Sequence, residues 1–184
     1  SDRTINEGTA LVVTNTAIDF DVPANGLTYQ LINPPSGASI SVSGIITWTP
    51  SEAQGPSTNT IVTVVTDNGS PNLSATNSFT VTVTEVNEAP VLPVQTNRTI
   101  AELTLLTVTN TATDADIPAN ALSYQLINAP VGMSLSTDGV ISWTPTEAQG
   151  PSTNLIATVV FDGTAYATNS FLVFVTEANT APTL

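Results

Sequence analysis

The chain has no cysteine, histidine or lysine, and its only basic residues are Arg3 and Arg98. Without histidine, cysteine or lysine, the common nucleophile–base pairs of catalysis cannot be assembled. The carboxylate pairs that remain, Asp19/Asp21 and Asp114/Asp116, lie two residues apart. Glycosidase carboxylates instead face each other across a cleft from separate elements, so no enzyme is expected. Two arginines against fifteen acidic residues leave a net charge of −13. Nothing is present to neutralise phosphates, which excludes nucleic acid as a partner and disfavours anionic membrane surfaces. Apolar runs extend only a few residues, too short for a membrane span, so no membrane insertion is expected. The lack of cysteine leaves the compartment open. Richness in Thr, Ser and Asn without lysine suits a bacterial extracellular chain better than a cytosolic enzyme. No leader is visible and the first residue is Ser1, which reads as a mature or excised piece of something longer.

What is present is a repeat. Arg3 to Asp67 aligns without a gap on Arg98 to Asp162, with 44 of 65 positions identical. The expected organisation is a module over 1–88, a spacer over 89–97 and a second module over 98–184. A hydrophobic fraction of 41% supports packed cores. The boundary, Glu85-Val-Asn-Glu-Ala-Pro-Val-Leu-Pro-Val, carries two prolines and reads as extended and fairly stiff. The same pattern returns at Glu177-Ala-Asn-Thr-Ala-Pro-Thr-Leu, where a third module would begin. Repetition of this kind points to a modular array. The loop after Asp67 is three residues longer than the one after Asp162, a change that a hairpin loop tolerates.

Ser78-Phe-Thr-Val-Thr-Val-Thr alternates polar and apolar residues and puts Phe79, Val81 and Val83 on one face of a strand. Phe171–Thr176 is its more apolar counterpart, with an outer face expected to be covered or sticky. Residues 11–14, 27–32, 44–49 and 60–65 read as further strands, separated by clusters of Gly, Pro, Asn and Ser. Short strands with a turn every ten residues or so, and no helical period, predict an all-β fold of two sandwiches. Trp48 shares a strand face with Ile46, and Trp143 with Ile141, which places both tryptophans in cores rather than on sugar-binding surfaces. Tyr29 and Tyr124 are read the same way. Tyr166 is the one obvious aromatic outside the cores.

The acidic residues return with the repeat. Calcium takes six to eight oxygen ligands, and no contiguous calcium-binding loop is present, so any site must be assembled from several segments. Candidate ligands are Glu7, Glu52, Glu85 and Glu88 toward the end of the first module, and Asp114, Asp116 and Asp162 toward the start of the second. Read without a metal, the same acids are turn residues and solvated edges. The string Glu-Ala-Gln-Gly-Pro-Ser-Thr-Asn is identical at 52–59 and 147–154, which reads as recent duplication more than as a ligand contact.

The pattern Y-x-L…P-x-G…G-x-I-x-W-T-P resembles bacterial cadherin-like, immunoglobulin-like tandem repeats over nearly the whole chain. The resemblance implies Greek-key sandwiches with calcium held between consecutive domains. Glu7 then corresponds to the family's early Glu, and Glu52 to the last residue of its D-R-E motif, whose Asp is absent here. Glu85-Val-Asn87-Glu88-Ala-Pro corresponds to the D-x-N-D-N-A-P linker, one residue shorter and with Glu for Asp. Asp114-Ala-Asp116 corresponds to D-x-D, and Asp162 to the final Asp. With these departures, one or two Ca2+ ions are implied. Asp19, Asp21 and Asp67 would need an upstream module, and Glu102, Glu147 and Glu177 a downstream one, so these sets are expected to be empty or weakly occupied. The implied role is an extracellular structural or adhesive repeat, with other copies of the repeat or a surface glycan as partner. A carbohydrate-binding module and a subunit of an extracellular fibre are the alternatives.

Overall fold

The computed structural model describes residues 1–179 and 181, so the end of the closing Glu177–Leu184 pattern lies outside the described residues. The chain is all-β and divides into two compact units, Ser1–Val86 and Asn87–Leu184.

The first unit contains β1 (Arg3–Asn6), β2 (Leu11–Thr14), β3 (Leu27–Ile32), β4 (Ser39–Ile40), β5 (Ile45–Trp48), β6 (Ser57–Asp67) and β7 (Ser74–Thr84). One sheet has the order β1-β7-β6-β3 and the other β2-β5-β4. The long β6–β7 hairpin runs antiparallel from Ser57↔Val83 to Thr66↔Ser74. β1 lies parallel on the outer edge of β7, with Arg3 opposite Val81 and Asn6 opposite Thr84.

Alternation decides what faces inward. Phe79, Val81 and Val83 of β7 meet Ile61 of β6, Ile46 and Trp48 of β5 and Leu11 of β2 in one core. The buried Trp48 indole satisfies its N–H by donating to the Ser36 carbonyl at 3.1 Å. The turn before β5 needs a glycine: Gly44 has φ +76°, and a Cβ there would lie 2.8 Å from the Asn15 carbonyl oxygen. Gly139 repeats this in the second unit, which accounts for the glycine of G-x-I-x-W.

The second unit repeats the plan with β8 (Arg98–Ala101), β9 (Leu106–Thr109), β10 (Ser123–Ile127), β11 (Ser134–Leu135), β12 (Val140–Trp143), β13 (Ser152–Phe161) and β14 (Tyr166–Thr176). Its sheets are ordered β10-β13-β14-β8 and β11-β12-β9. Residues 89–97 fall within this unit. Val91 and Thr113 exchange backbone hydrogen bonds of 2.7 and 3.0 Å, and Asn169 Nδ2 donates to the Pro93 carbonyl.

One local reading changes. Tyr29 and Tyr124 are half-buried rather than central; each hydroxyl accepts the N–H of a loop residue, Ala17 at 2.8 Å and Ala112 at 2.9 Å. A buried phenol needs a polar partner, and the sheet margin supplies one. On the outer face of β13 and β14, Leu155 and Phe174 remain exposed. Among the described residues, no helix is long and apolar enough to cross a membrane.

Ile61 is fully buried and Val12 is exposed. Ile61→Ala should cost about 2–5 kcal/mol by deleting packed methylenes, whereas Val12→Ala should stay within about 0.5 kcal/mol. Urea unfolding followed by tryptophan fluorescence checks both.

Candidate metal centres

The parallel register of β1 on β7 ends at Asn6↔Thr84, so the next residues on the two strands leave the sheet together. These are Glu85 and Glu7. Glu7 N–H donates to the Thr84 carbonyl at 3.1 Å, and Glu7 Oε1 accepts the Val86 N–H at 2.9 Å. The third member arrives on a 3₁₀ turn, Glu52–Gln54, tied down when Gln54 Oε1 accepts the Ser51 N–H at 3.0 Å. The Gly8 N–H donates to the Pro50 carbonyl at 2.8 Å and anchors this turn beside Glu7. One carboxylate oxygen from each of Glu7, Glu52 and Glu85 then lies within 4.8 Å of the other two.

Glu7 is only 7% exposed. Its carboxylate occupies the space where a side chain at residue 55 would start, because a Cβ on Gly55 would stand 2.0 Å from Glu7 Oε2. Gly150 and Glu102 repeat the relation at the same 2.0 Å. The glycine in the twice-written Glu-Ala-Gln-Gly is therefore the seat of a glutamate about fifty residues away in sequence. Glu7 Oε2 and Glu52 Oε1 are buried with no hydrogen-bond partner. Leaving such atoms unsatisfied is costly. Desolvation first, then repulsion from Glu7 and Glu85, raises the Glu52 pKa to about 7.

In the second unit, Asp114, Asp116 and Asp162 form a second set within 4.8 Å. Asp116 Oδ1 accepts the Glu88 N–H at 2.8 Å, and its Oδ2 accepts Asn120 Nδ2 at 2.5 Å. Asp162 Oδ1 accepts the N–H groups of Thr164 and Ala165 at 2.6 Å, and its Oδ2 accepts Asn87 Nδ2 at 3.1 Å. These bonds, led by that from Ala165, hold the Asp162 pKa below its ordinary value. Asp114 Oδ1 takes the Asp116 N–H, while its buried Oδ2 has no hydrogen-bond partner. Asn87 Oδ1 accepts Asn120 Nδ2 at 3.2 Å. Asn120, which the acidic pattern did not point to, thus braces both Asp116 and Asn87; its place in the repeated Pro-Ala-Asn was the available signal. Glu88 contributes its backbone N–H, and its exposed side chain is in neither carboxylate set.

A third set, Glu102, Glu147 and Glu177, copies the first, with Ala178 N–H donating to Glu102 Oε1 at 2.9 Å. Repulsion from Glu102, with desolvation second, raises the Glu177 pKa. Asp19, Asp21 and Asp67 form no such set among the described residues. Asp19 and Asp67 instead accept backbone N–H groups of their own loops, and Asp21 accepts the Asn25 amide.

What these sets offer is hard, anionic oxygen in groups of three, which suits a calcium-type cation. A raised carboxyl pKa means that the folded, metal-free state holds a proton that the unfolded chain releases. Stability contributed by protonated Glu52 is therefore lost as pH rises from the ordinary carboxylate range through about 7. With chelator present, melting temperature should climb as pH falls from 8 toward 5, and Glu52→Gln should flatten that dependence. Thermal melts at stepped pH decide it.

Residues 1–84 match the family described as "Putative Ig domain". No curated protein matches the chain. Among solved structures, mouse cadherin-23 EC22-24 superposes with a TM-score of 0.60 at 17% identity, over 96% of this chain and 63% of that one. Protocadherin gamma B2 domains 1-5 give 0.55 at 19%, over 98% and 39%. The protocadherin gammaB4 extracellular domain gives 0.53 at 20%, over 94% and 33%. The chain thus spans less than two thirds of the length of each, and at these identities the likeness speaks to fold. Fold, repeat pattern and the match over residues 1–84 together give two tandem sandwiches of cadherin-like, immunoglobulin-like fold, the first of which is similar to that Ig family.

Proposed function

We propose that the chain is an extracellular repeat module in which Ca2+, as one or two ions, ties consecutive repeats together and stiffens the array for a structural or adhesive role. The observation that carries this reading is the pair of carboxylate sets flanking one short piece of chain. Glu85 belongs to the first set, and Asn87, two residues later, hydrogen-bonds to Asp162 of the second. The ions would be held by Glu7, Glu52 and Glu85 together with Asn87, Asp114, Asp116 and Asp162, and Glu88 would serve through its backbone. Bound calcium would supply the positive charge that the sets lack. The orphaned oxygens of Glu7, Glu52 and Asp114 support the fit, because each is a buried acceptor awaiting a partner. Screening over about 8 Å at physiological salt does little for charges this close.

The protein's own residues do the rest. Gly55 leaves room for Glu7, and backbone N–H groups fix Asp116 and Asp162, so the donors are ordered before an ion arrives. An ion that binds only the assembled donors stabilises them by RT ln(1 + [L]/Kd), about 2.7 kcal/mol at a hundredfold excess over Kd. The partner in this reading is another copy of the repeat.

A glycan-binding role rests on Tyr166, which is 66% exposed. Its ring stacks on Phe161 with centroids 4.2 Å apart, so one face is already occupied, and a single remaining face makes a small platform. A glycan array on wild type and Tyr166→Ala tests it, with identical blank arrays ending this second reading.

Calcium should raise the melting temperature of wild type and chelator should reverse it, while Asp114→Ala/Asp116→Ala should lose the response. Small-angle scattering should show a narrower spread of interdomain angles with calcium. Melting curves and scattering that ignore calcium would overturn the proposal.

A further inference from the structure

The two units differ in what covers one margin of the sandwich. In the second unit, residues 91–95 lie over the margin of the sandwich. Val91 exchanges two backbone hydrogen bonds with Thr113, Pro93 accepts Asn169 Nδ2 at 2.8 Å, and Gln95 Nε2 reaches the Thr109 carbonyl at 2.9 Å and Asn110 Oδ1 at 3.1 Å. Beneath this segment Asn110 and Asn169 exchange reciprocal side-chain amide bonds of 3.0 and 2.7 Å. Asn110, Ala112 and Val160 are all buried there, Asn110 completely.

The first unit carries the same floor. Asn15 and Asn77 make the same reciprocal pair at 2.9 and 2.7 Å, and Ala17, Tyr29, Thr63 and Val65 stand where Ala112, Tyr124, Thr158 and Val160 stand. Here no described residue stands where Val91–Gln95 stand in the second unit. Asn77 is exposed, Asn15, Ala17 and Val65 are only half-buried, and these residues line an open groove of about 130 Å³. Ile18, the counterpart of Thr113, is 78% exposed and makes no backbone hydrogen bond among the described residues.

We propose that this groove is the seat of an extended, proline-flanked peptide segment of the Val91–Gln95 kind, which completes the first sandwich as residues 91–95 complete the second. The chemistry selects such an occupant. The groove is well below the 300–1,000 Å³ typical of a small-molecule pocket. Ile18 offers a backbone donor and acceptor side by side, the requirement for adding a short strand at a sheet margin. The floor is neutral amide and methyl, and residues 89–96 carry no charge, so an uncharged segment avoids the field of a chain with net charge −13. The Asn15–Asn77 pair presents a second acceptor lone pair to a side-chain amide, the place that Gln95 fills on Asn110. Pre-extended prolines lower the ordering cost of the incoming segment. This inference is independent of any metal.

The test uses the whole chain with the sequence of residues 89–95 added in front of Ser1, which sets the valine equivalent to Val91 opposite Ile18. A Gly/Ser extension of equal length is the control, and wild type with the free peptide is the third arm. Amide hydrogen exchange by NMR at Ile18 should slow about three- to tenfold in the extended chain, the equivalent of one net hydrogen bond, and saturably with free peptide. The side-chain amide signals of Asn15 and Asn77 should shift in both. Asn15→Ala in the extended chain should lose the asparagine shift while leaving the second unit's spectrum unchanged. Exchange at Ile18 equal to that of the Gly/Ser control would overturn the proposal. So would protection that grows with protein concentration and ignores the peptide, since that assigns the groove to a second copy of the chain.

Discussion

The parallel pairing of a short first strand with the last strand is the constraint on which the rest depends. β1 on β7, and β8 on β14, bring the start and the end of each repeat to the same sheet edge in a fixed register. That register sets which residues leave the sheet next, and both times these are acidic: Glu7 with Glu85, and Glu102 with Glu177. Parallel strands cannot be joined by a tight turn, so the intervening chain must traverse the whole sandwich. On the way it passes through the 3₁₀ turn that carries the third glutamate. One pairing therefore closes the core and assembles the carboxylates.

Assembly of like charges works against folding unless something holds them. Here neutral structure does the holding. Gly55 and Gly150 yield the volume for a buried glutamate, and the Val86 and Ala178 N–H groups fix its orientation. The aspartate set uses backbone donors more heavily, which favours the ionised form of Asp162, whereas the glutamate set leaves Glu52 to hold a proton near neutrality. The two kinds of cluster thus reach the same oxygen-rich composition with opposite proton preferences.

Much of the fold was legible because alternation is a local signal. Residues 11–14 and 27–32 form strands with the bounds that their composition suggests, and the tryptophans lie in the cores. β7 starts earlier than its apolar run, at Ser74, because every residue from Ser74 to Ser78 is exposed and the segment has no inward–outward period to read. β1 shows one inward residue, Ile5, and two-residue β4 shows too little to register at all. At the candidate centres, residue types and repetition pointed to Glu7, Glu52 and the aspartates. The part played by Gly55 depends on a contact 48 positions away along the chain and leaves no local trace. Asn120 and the Glu88 N–H are of the same sort: their meaning lies in what they brace.

The edge pairing also has a mechanical meaning. Within the first unit the chain enters at the Arg3 end of β1 and leaves at the Thr84 end of β7, and the two strands point the same way. Tension applied between entry and exit pulls the strands along their length in opposite directions, so the hydrogen bonds between them are loaded in shear and share the load. An antiparallel edge pulled from one end would open bond by bond. A repeat of this design resists stretching at its weakest-looking strand, and a chain of such repeats would yield one whole sandwich at a time.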